Sequence, residues 1–291
     1  MDEGAGSFLL QDHAAGVRGS IRVFYFRPAG LGPDLPVVIA LHGFTRAGAE
    51  FRDWLINSAQ RLGFLVLVPE FDVEVFPGAH AYNYGNVKTA PPETKIIPRQ
   101  DWSFGVLDRL FDNVIAMTGS STKSFHLFGL SAGSQFVLRY LALTEGTAVG
   151  RAVAANSGWY MLPDLSQDYP DGMGGLGLDD SFLRRYLSRK LTILLGDADI
   201  DPDAHDLPRN EVAVAQGPHR LARGLWHFDH CRELAERLGT SFGWGLEIVP
   251  GAVHVDNAMF EIGSQMLIAP EGLGEAMMRA KRIDLIPSAT A

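Results

Sequence analysis

Residues 124–143 read SFHLFGLSAGSQFVLRYLAL, Ser124 to Leu143, and this stretch decides the fold. Its first part, Ser124 to Gly129, is a short apolar run of the kind that forms a strand. Its second part, Ala132 to Leu143, has the length and make-up of a helix. Between them Gly129-Leu130-Ser131-Ala132-Gly133 matches G-x-S-x-G. In a strand–turn–helix setting this pentapeptide has a mechanical meaning. The turn forces the serine into strained backbone angles, and side chains at the two glycine positions would clash. The hydroxyl is left clear at the top of the sheet, facing the amide end of the next helix, which favours an anion. A second match, Gly239-Thr240-Ser241-Phe242-Gly243, follows a helical segment and precedes a strand, so its glycines read as a cap and a turn. Ser131 is therefore the expected nucleophile.

Outward from this stretch, strand-like and helix-like segments alternate. Ser20–Phe26, Pro36–Leu41 and Phe64–Pro69 read as strands before it, and Arg151–Asn156, Leu191–Leu195 and Leu246–Val249 as strands after it. Helical spacing covers Phe51–Leu62, Trp102–Met117 and Leu221–Leu238. The alternation predicts an α/β fold: a mostly parallel central sheet, helices on both faces, and the loops after the strands gathered at one edge. Two stretches break the rhythm. Residues 72–100 carry prolines and tyrosines, and residues 159–190 carry Gly172, Gly174, Gly175 and Gly177 ahead of a short helix. Both are expected to act as lid-like cover over the active edge. No linker or repeat divides the chain, so residues 1–291 are expected to form a single domain.

Composition narrows the function classes. The chain is 46% hydrophobic and 20% charged, enough to bury a core without a disulfide or metal staple. Its bases are scattered and its net charge is -9, which argues against a nucleic-acid partner. One cysteine, Cys231, excludes an intrachain disulfide and reads as a packed thiol in a helix. The start, Met-Asp-Glu-Gly, lacks a basic region followed by an apolar run, and runs such as Leu35–Leu41 are too short to cross a bilayer. A cytoplasmic protein with no membrane partner is expected. Oligomeric state is left open.

The chemistry needs three more parts. Acyl transfer wants two backbone donors aimed at the developing oxyanion. Ala132, after the nucleophile, supplies one; His42-Gly43-Phe44, directly after the strand Pro36–Leu41, supplies the other, with Gly43 permitting close approach and Phe44 N–H donating. The His42 ring itself is expected to be buried and bonded to loop backbone. Of nine histidines, His254 lies just past a late strand and the turn Pro250-Gly251, where a general base must stand. His205 competes more weakly, and His219, His227 and His230 fall in or beside a helix. The acid should follow Leu191–Leu195, which runs into Gly196-Asp197-Ala198-Asp199-Ile200-Asp201-Pro202-Asp203. A calcium loop would need glycine at its sixth position and glutamate at its twelfth, and both are missing, so no metal is expected. Position selects Asp199, with Asp197 and Asp201 behind it. Phe76, Tyr82, Tyr84, Trp159 and Tyr160, from the two irregular stretches, are expected to wall a substrate pocket.

With these motifs in place, the chain resembles the α/β-hydrolase superfamily over roughly Ser20 to Phe260. The likeness rests on His42-Gly43 after a strand, Gly129-Leu130-Ser131-Ala132-Gly133, Gly196-Asp197-Ala198-Asp199 and Val249-Pro250-Gly251-Ala252-Val253-His254. In the family's G-x-x-D pattern the last Asp is the acid, which falls on Asp199. Within the superfamily the chain is similar to polyhydroxybutyrate-depolymerase-like and feruloyl-esterase-like proteins, which have a long aromatic loop, here Tyr82-Asn83-Tyr84, before the nucleophile. It departs from them in Leu130, where many relatives carry His, Tyr or Trp, and in lacking the paired cysteines of secreted members. Both departures speak against a polymer substrate. The resemblance implies esterase, lipase, peptidase or related acyl-transfer chemistry; a cofactor-free hydrolase acting on a small-molecule carboxylic ester through an acyl-enzyme is expected. Acyl transfer or elimination on the same triad is the first alternative, and a non-catalytic binding protein of this fold the second.

Overall fold

The computed structural model describes residues 1–12, 19–92 and 94–272. Residues 13–18, residue 93 (inside the first lid-like stretch) and residues 273–291 (the end of the expected single domain) lie outside the described residues.

In chain order the elements are β1 (Gly4–Asp12), β2 (Gly19–Arg27), β3 (Val37–Leu41), α1 (Gly48–Leu62), β4 (Leu65–Pro69), α2 (Gly78–Ala81), α3 (Gly105–Thr118), β5 (Phe125–Leu130), α4 (Ala132–Leu143), β6 (Val149–Ala155), α5 (Asp180–Leu187), β7 (Leu191–Gly196), α6 (Glu211–Gln216), α7 (Arg220–Leu238), β8 (Trp244–Val249) and α8 (Asn257–Ile268). The eight strands form one sheet in the order β1-β2-β4-β3-β5-β6-β7-β8. β1 and β2 join it antiparallel, and every pairing from β4 to β8 is parallel. This is the mostly parallel, doubly covered sheet that the alternation predicts.

The central strands are buried on both faces, which is why they read as unbroken apolar runs. All of Val37–Leu41 and Leu65–Pro69 is inaccessible to solvent. One face of the sheet packs a core through Ile39, Leu67, Leu127, Ile193 and α4. The other packs α1 and α8 through Val38, Val66, Phe128, Leu194 and a ring cluster of Phe51, Phe128 and Phe260. Gly63 closes α1 at φ 72, where its N–H bonds Ala59 O, so a residue with a Cβ would be strained there. α4 is buried along its whole length. Cys231 is buried in α7, and burial pushes its thiol up.

Two elements carried weak signals. β1, GAGSFLLQD, is an edge strand rich in residues that disfavour sheets, and its alternation is masked by two glycines. α8 is capped by Asp256, whose carboxylate accepts the Ala258 N–H at 2.9 Å. It is nearly all buried, so it lacks the polar stripe of a surface helix. Its buried Glu261 accepts from Ser58 Oγ at 2.9 Å and pairs with Arg61, tying α8 to α1. Among the described residues no helix is long and apolar enough to cross a membrane.

Both irregular stretches pack inward. Phe76, Tyr82 and Val87 of the first, and Tyr169 and Met173 of the second, are buried. Only the first reaches the cleft described below. The second buttresses it: Tyr169 donates its hydroxyl proton to Tyr84 O, and Trp159 meets the Tyr84 ring edge-on at 6.0 Å.

Candidate active site

The C-terminal ends of β3, β5, β7 and β8 bring the expected residues to one rim. Ser131 follows β5 directly at φ 58, ψ -116, a strained conformation for a residue with a side chain. Its N–H is held by Ala155 O at 2.9 Å. The flanking glycines are required by contact. A Cβ on Gly129 would lie 2.4 Å from Gly133 O, and one on Gly133 would lie 1.9 Å from Leu41 O. The turn therefore presses α4 against the end of β3, and the oxyanion loop begins at the next residue.

That loop is held from behind. His42 is buried; its Nδ1 contacts Gly43 O at 3.1 Å and its Nε2 accepts the Phe71 N–H at 3.1 Å. Desolvation holds its pKa at about 4, so the ring is neutral and acts as a bracket, as the sequence implied. The Tyr82 ring lies tilted against it with centroids 4.9 Å apart, and its hydroxyl donates to His42 O at 2.6 Å. The Arg46 guanidinium lies over the Tyr82 ring, 4.1 Å from its centroid, and donates to Gly78 O at 3.0 Å. Neither Phe44 N–H nor Ala132 N–H is taken by an acceptor among the described residues. A Cβ on Gly43 would meet only Ser131 Cβ, at 3.9 Å, so this glycine's space opens toward the nucleophile rather than relieving a clash. Removing the Tyr82 hydroxyl should loosen this loop. Tyr82→Phe is expected to cost about 1–2 kcal/mol of stability. It should also lower kcat by about tenfold with little change in KM, since the loop serves the transition state. Urea unfolding and steady-state kinetics measure the two effects; unchanged kcat would separate this hydroxyl from catalysis.

Of the three competing aspartates, Asp199 faces the histidine. His254 Nδ1 lies 2.8 Å from Asp199 Oδ2. Asp197 instead accepts the Gly251 N–H at 2.6 Å, and Asp201 accepts the Asp203 N–H at 2.8 Å. The carboxylate fixes a proton on Nδ1 and leaves Nε2 of His254 as an acceptor. Ser131 and His254 line the same cleft, with no hydrogen bond between their side chains; such contacts often tighten only when substrate is bound. His205 also lines the cleft, but no hydrogen-bond partner orients it among the described residues.

Sequence reasoning missed two supports. Asn156, at the end of β6 with φ 45, accepts the Gly196 N–H at 2.9 Å and donates to His254 O at 3.0 Å. It braces the acid-bearing and base-bearing loops together. A polar residue closing an otherwise apolar strand was the available signal. Arg220 opens α7, nearly buried, with Nη1 3.4 Å from Asp199 Oδ1 and Nη2 2.6 Å from Asp206 Oδ1. No sequence pattern pointed to it.

Two cavities meet at Ser131. One, of about 360 Å³, is walled by Asn83, Tyr84, Ala132, Gln135, Gly158 and Arg220. The other, of about 340 Å³, is walled by Ala47, Glu50, Trp54, His254 and Val255. Phe44, Ser131, His205 and Asp206 border both. Of the aromatics expected to wall the pocket, Tyr84 does so. The others are corrected: Phe76, Tyr82, Trp159 and Tyr160 are 1%, 0%, 2% and 0% exposed and line neither cavity. Their rings give the irregular stretches a core of their own: Phe76 packs on Phe71, Tyr82 on Phe136, and Tyr160 stacks on His227 at 4.4 Å.

No protein-family model matches the chain, and no curated protein does. Solved structures do. Poly(aspartic acid) hydrolase-1 from Sphingomonas sp. KT-1 is 35% identical with a TM-score of 0.87, over 92% of this chain and 99% of that one. A poly(3-hydroxybutyrate) depolymerase from Bordetella parapertussis is 33% identical with a TM-score of 0.85, over 94% of each chain. An S-formylglutathione hydrolase from Agrobacterium tumefaciens, at 18% identity and a TM-score of 0.55 over 95% of each chain, shares the fold.

Proposed function

Because the chain belongs to the α/β-hydrolase superfamily, we propose that it is a serine hydrolase cleaving carboxylic esters through an acyl-enzyme on Ser131. The observation that carries this is the 2.8 Å contact of His254 with Asp199, which leaves the second ring nitrogen in the cleft that holds the strained Ser131.

In this mechanism Ser131 Oγ attacks the ester carbonyl as His254 Nε2 takes its proton. Phe44 N–H and Ala132 N–H stabilise the tetrahedral oxyanion, helped by the amide end of α4. The imidazolium, stabilised by Asp199, returns the proton to the departing alcohol, and then activates water to release the acid. The proton donor fixes the polarity of the cleft. His254 borders only the second cavity, so the alcohol leaves there, against Trp54 and Val255. The acyl group then occupies the first cavity, where the buried amides of Asn83 and Gln135 bond each other at 3.0 Å.

Space on both sides of the serine suits an ester within a chain. The two relatives named for polymers support a substrate cut within a chain, against the weight given earlier to Leu130 and the missing cysteines; one is named for a polyester, the other for poly(aspartic acid), whose links are amides. We therefore propose an oligoester or polyester as the substrate class, cut internally. The test is fluorophosphonate labelling together with turnover of p-nitrophenyl butyrate and of a soluble hydroxyacid oligomer. Labelling at Ser131 and internal fragments support the reading. An unlabelled, inactive protein overturns it.

A further inference from the structure

The triad acid is held in an unusual way. Asp199 is 5% exposed, and among the described residues no N–H of the backbone donates to its carboxylate. Its two partners are His254 on one oxygen and Arg220 on the other. The guanidinium does not stop there. It reaches on to Asp206, which borders both cavities and is far more open, while its own Nε is left without a partner. The backbone repeats the link, since Leu221 N–H donates to Asp199 O at 3.3 Å. One cation thus spans a buried carboxylate that orients the base and a cleft-wall carboxylate that faces substrate.

We infer that Arg220 is a positioning residue: it holds the Asp199 carboxylate aimed at His254, and couples that pair to Asp206 in the substrate cleft. This rests on the assignment of Ser131, His254 and Asp199 given above. An isolated buried carboxylate would be costly, and removing one partner of a buried pair leaves the other uncompensated. Arg220 meets that need while leaving the cluster with a net negative charge, from Asp199 and Asp206 against one guanidinium, to receive an imidazolium. The fork meets the two carboxylates with two separate nitrogens held in one plane, whereas a lysine would have to reach both from a single nitrogen.

The groups facing His254 set the sign of the test. They are Asp199 and Asp206, with Arg220 behind them, then Glu50 and His205 on the cleft wall, neutral buried His42, and Asp256 two residues along the chain. Burial raises the Asp206 pKa, but the hydrogen bond and charge of Arg220, with a smaller contribution from His254, outweigh it and bring the carboxyl below its ordinary value. Removing Arg220 deletes a cation near the base, so the acid limb of kcat/KM should move to higher pH. Removing the Asp206 charge does the reverse.

The experiment is the pH profile of kcat/KM with p-nitrophenyl butyrate for wild type, Arg220→Gln, Arg220→Lys and Asp206→Asn, each also labelled with a fluorophosphonate at pH 8. The acid limb of Arg220→Gln should move up by about half to one pH unit, and that of Asp206→Asn down by a similar amount. Arg220→Lys should restore the wild-type limb but not the plateau kcat. A purely structural arginine would lower kcat with every limb in place, and that result overturns the inference. Where Arg220→Gln does not fold, Asp206→Asn decides: a limb that stays or rises is fatal to it. A wild type that fails to label counts against the Ser131 assignment instead.

Discussion

Ser131→Ala should lower turnover of p-nitrophenyl butyrate by roughly 10⁶-fold and abolish fluorophosphonate labelling, because members of a triad act as one unit. The change removes one oxygen and keeps the Cβ, so the tight turn at φ 58 stays as it is. Stability should change by less than about 1 kcal/mol, since the hydroxyl makes no hydrogen bond among the described residues. Those two outcomes together matter: activity lost without stability lost locates the chemistry in the hydroxyl. The oxyanion donors remain, so residual turnover about 10³-fold above the uncatalysed rate is expected. Labelling of the alanine variant at another residue would move the nucleophile elsewhere.

The second large effect is steric. A methyl on Gly133 would sit 1.9 Å from Leu41 O, 2.5 Å from Leu41 C and 2.7 Å from His42 O. These are backbone atoms of a buried central strand and of the residue that follows it, and they cannot swing aside like a side chain. Relief requires α4 to back away from β3, carrying Ser131 and the Ala132 N–H with it. Gly133→Ala should therefore cost about 3 kcal/mol or more. Because it also parts the two oxyanion donors, kcat should fall a further 10²–10³-fold, roughly the cost of losing one donor. Gly43→Ala is the control, as its methyl would meet only an ordinary 3.9 Å contact. Urea midpoints and kcat for the pair measure both effects. Equal stability of the two variants would mean that the strand–helix contact is not the constraint described.

The parallel part of the fold was legible because strands buried on both faces leave continuous apolar runs, and Pro36–Leu41 or Phe64–Pro69 admit no other period. Position along the chain pointed to 131, 199 and 254 because right-handed crossovers place every post-strand loop at the same rim. What stayed hidden has a common cause. Sequence patterns report period and composition, not depth. The rings of Phe76, Tyr82, Trp159 and Tyr160 look like loop residues free to face a ligand, yet each is core beneath an irregular backbone. Asn156 and Arg220 act by bonds between segments 40 and 21 residues apart in the chain, which no local pattern encodes.

The burial of α4 has a consequence for how the protein fails. Its amides are shielded on every side, so they should exchange with solvent hydrogen only when the whole molecule opens. His254 is half-buried on a loop at the surface, tied down by Asn156 and Asp199 rather than by a helix or strand ladder. Warming is therefore expected to free the proton carrier while its target is still locked in place, so that activity should be lost below the temperature at which the molecule melts.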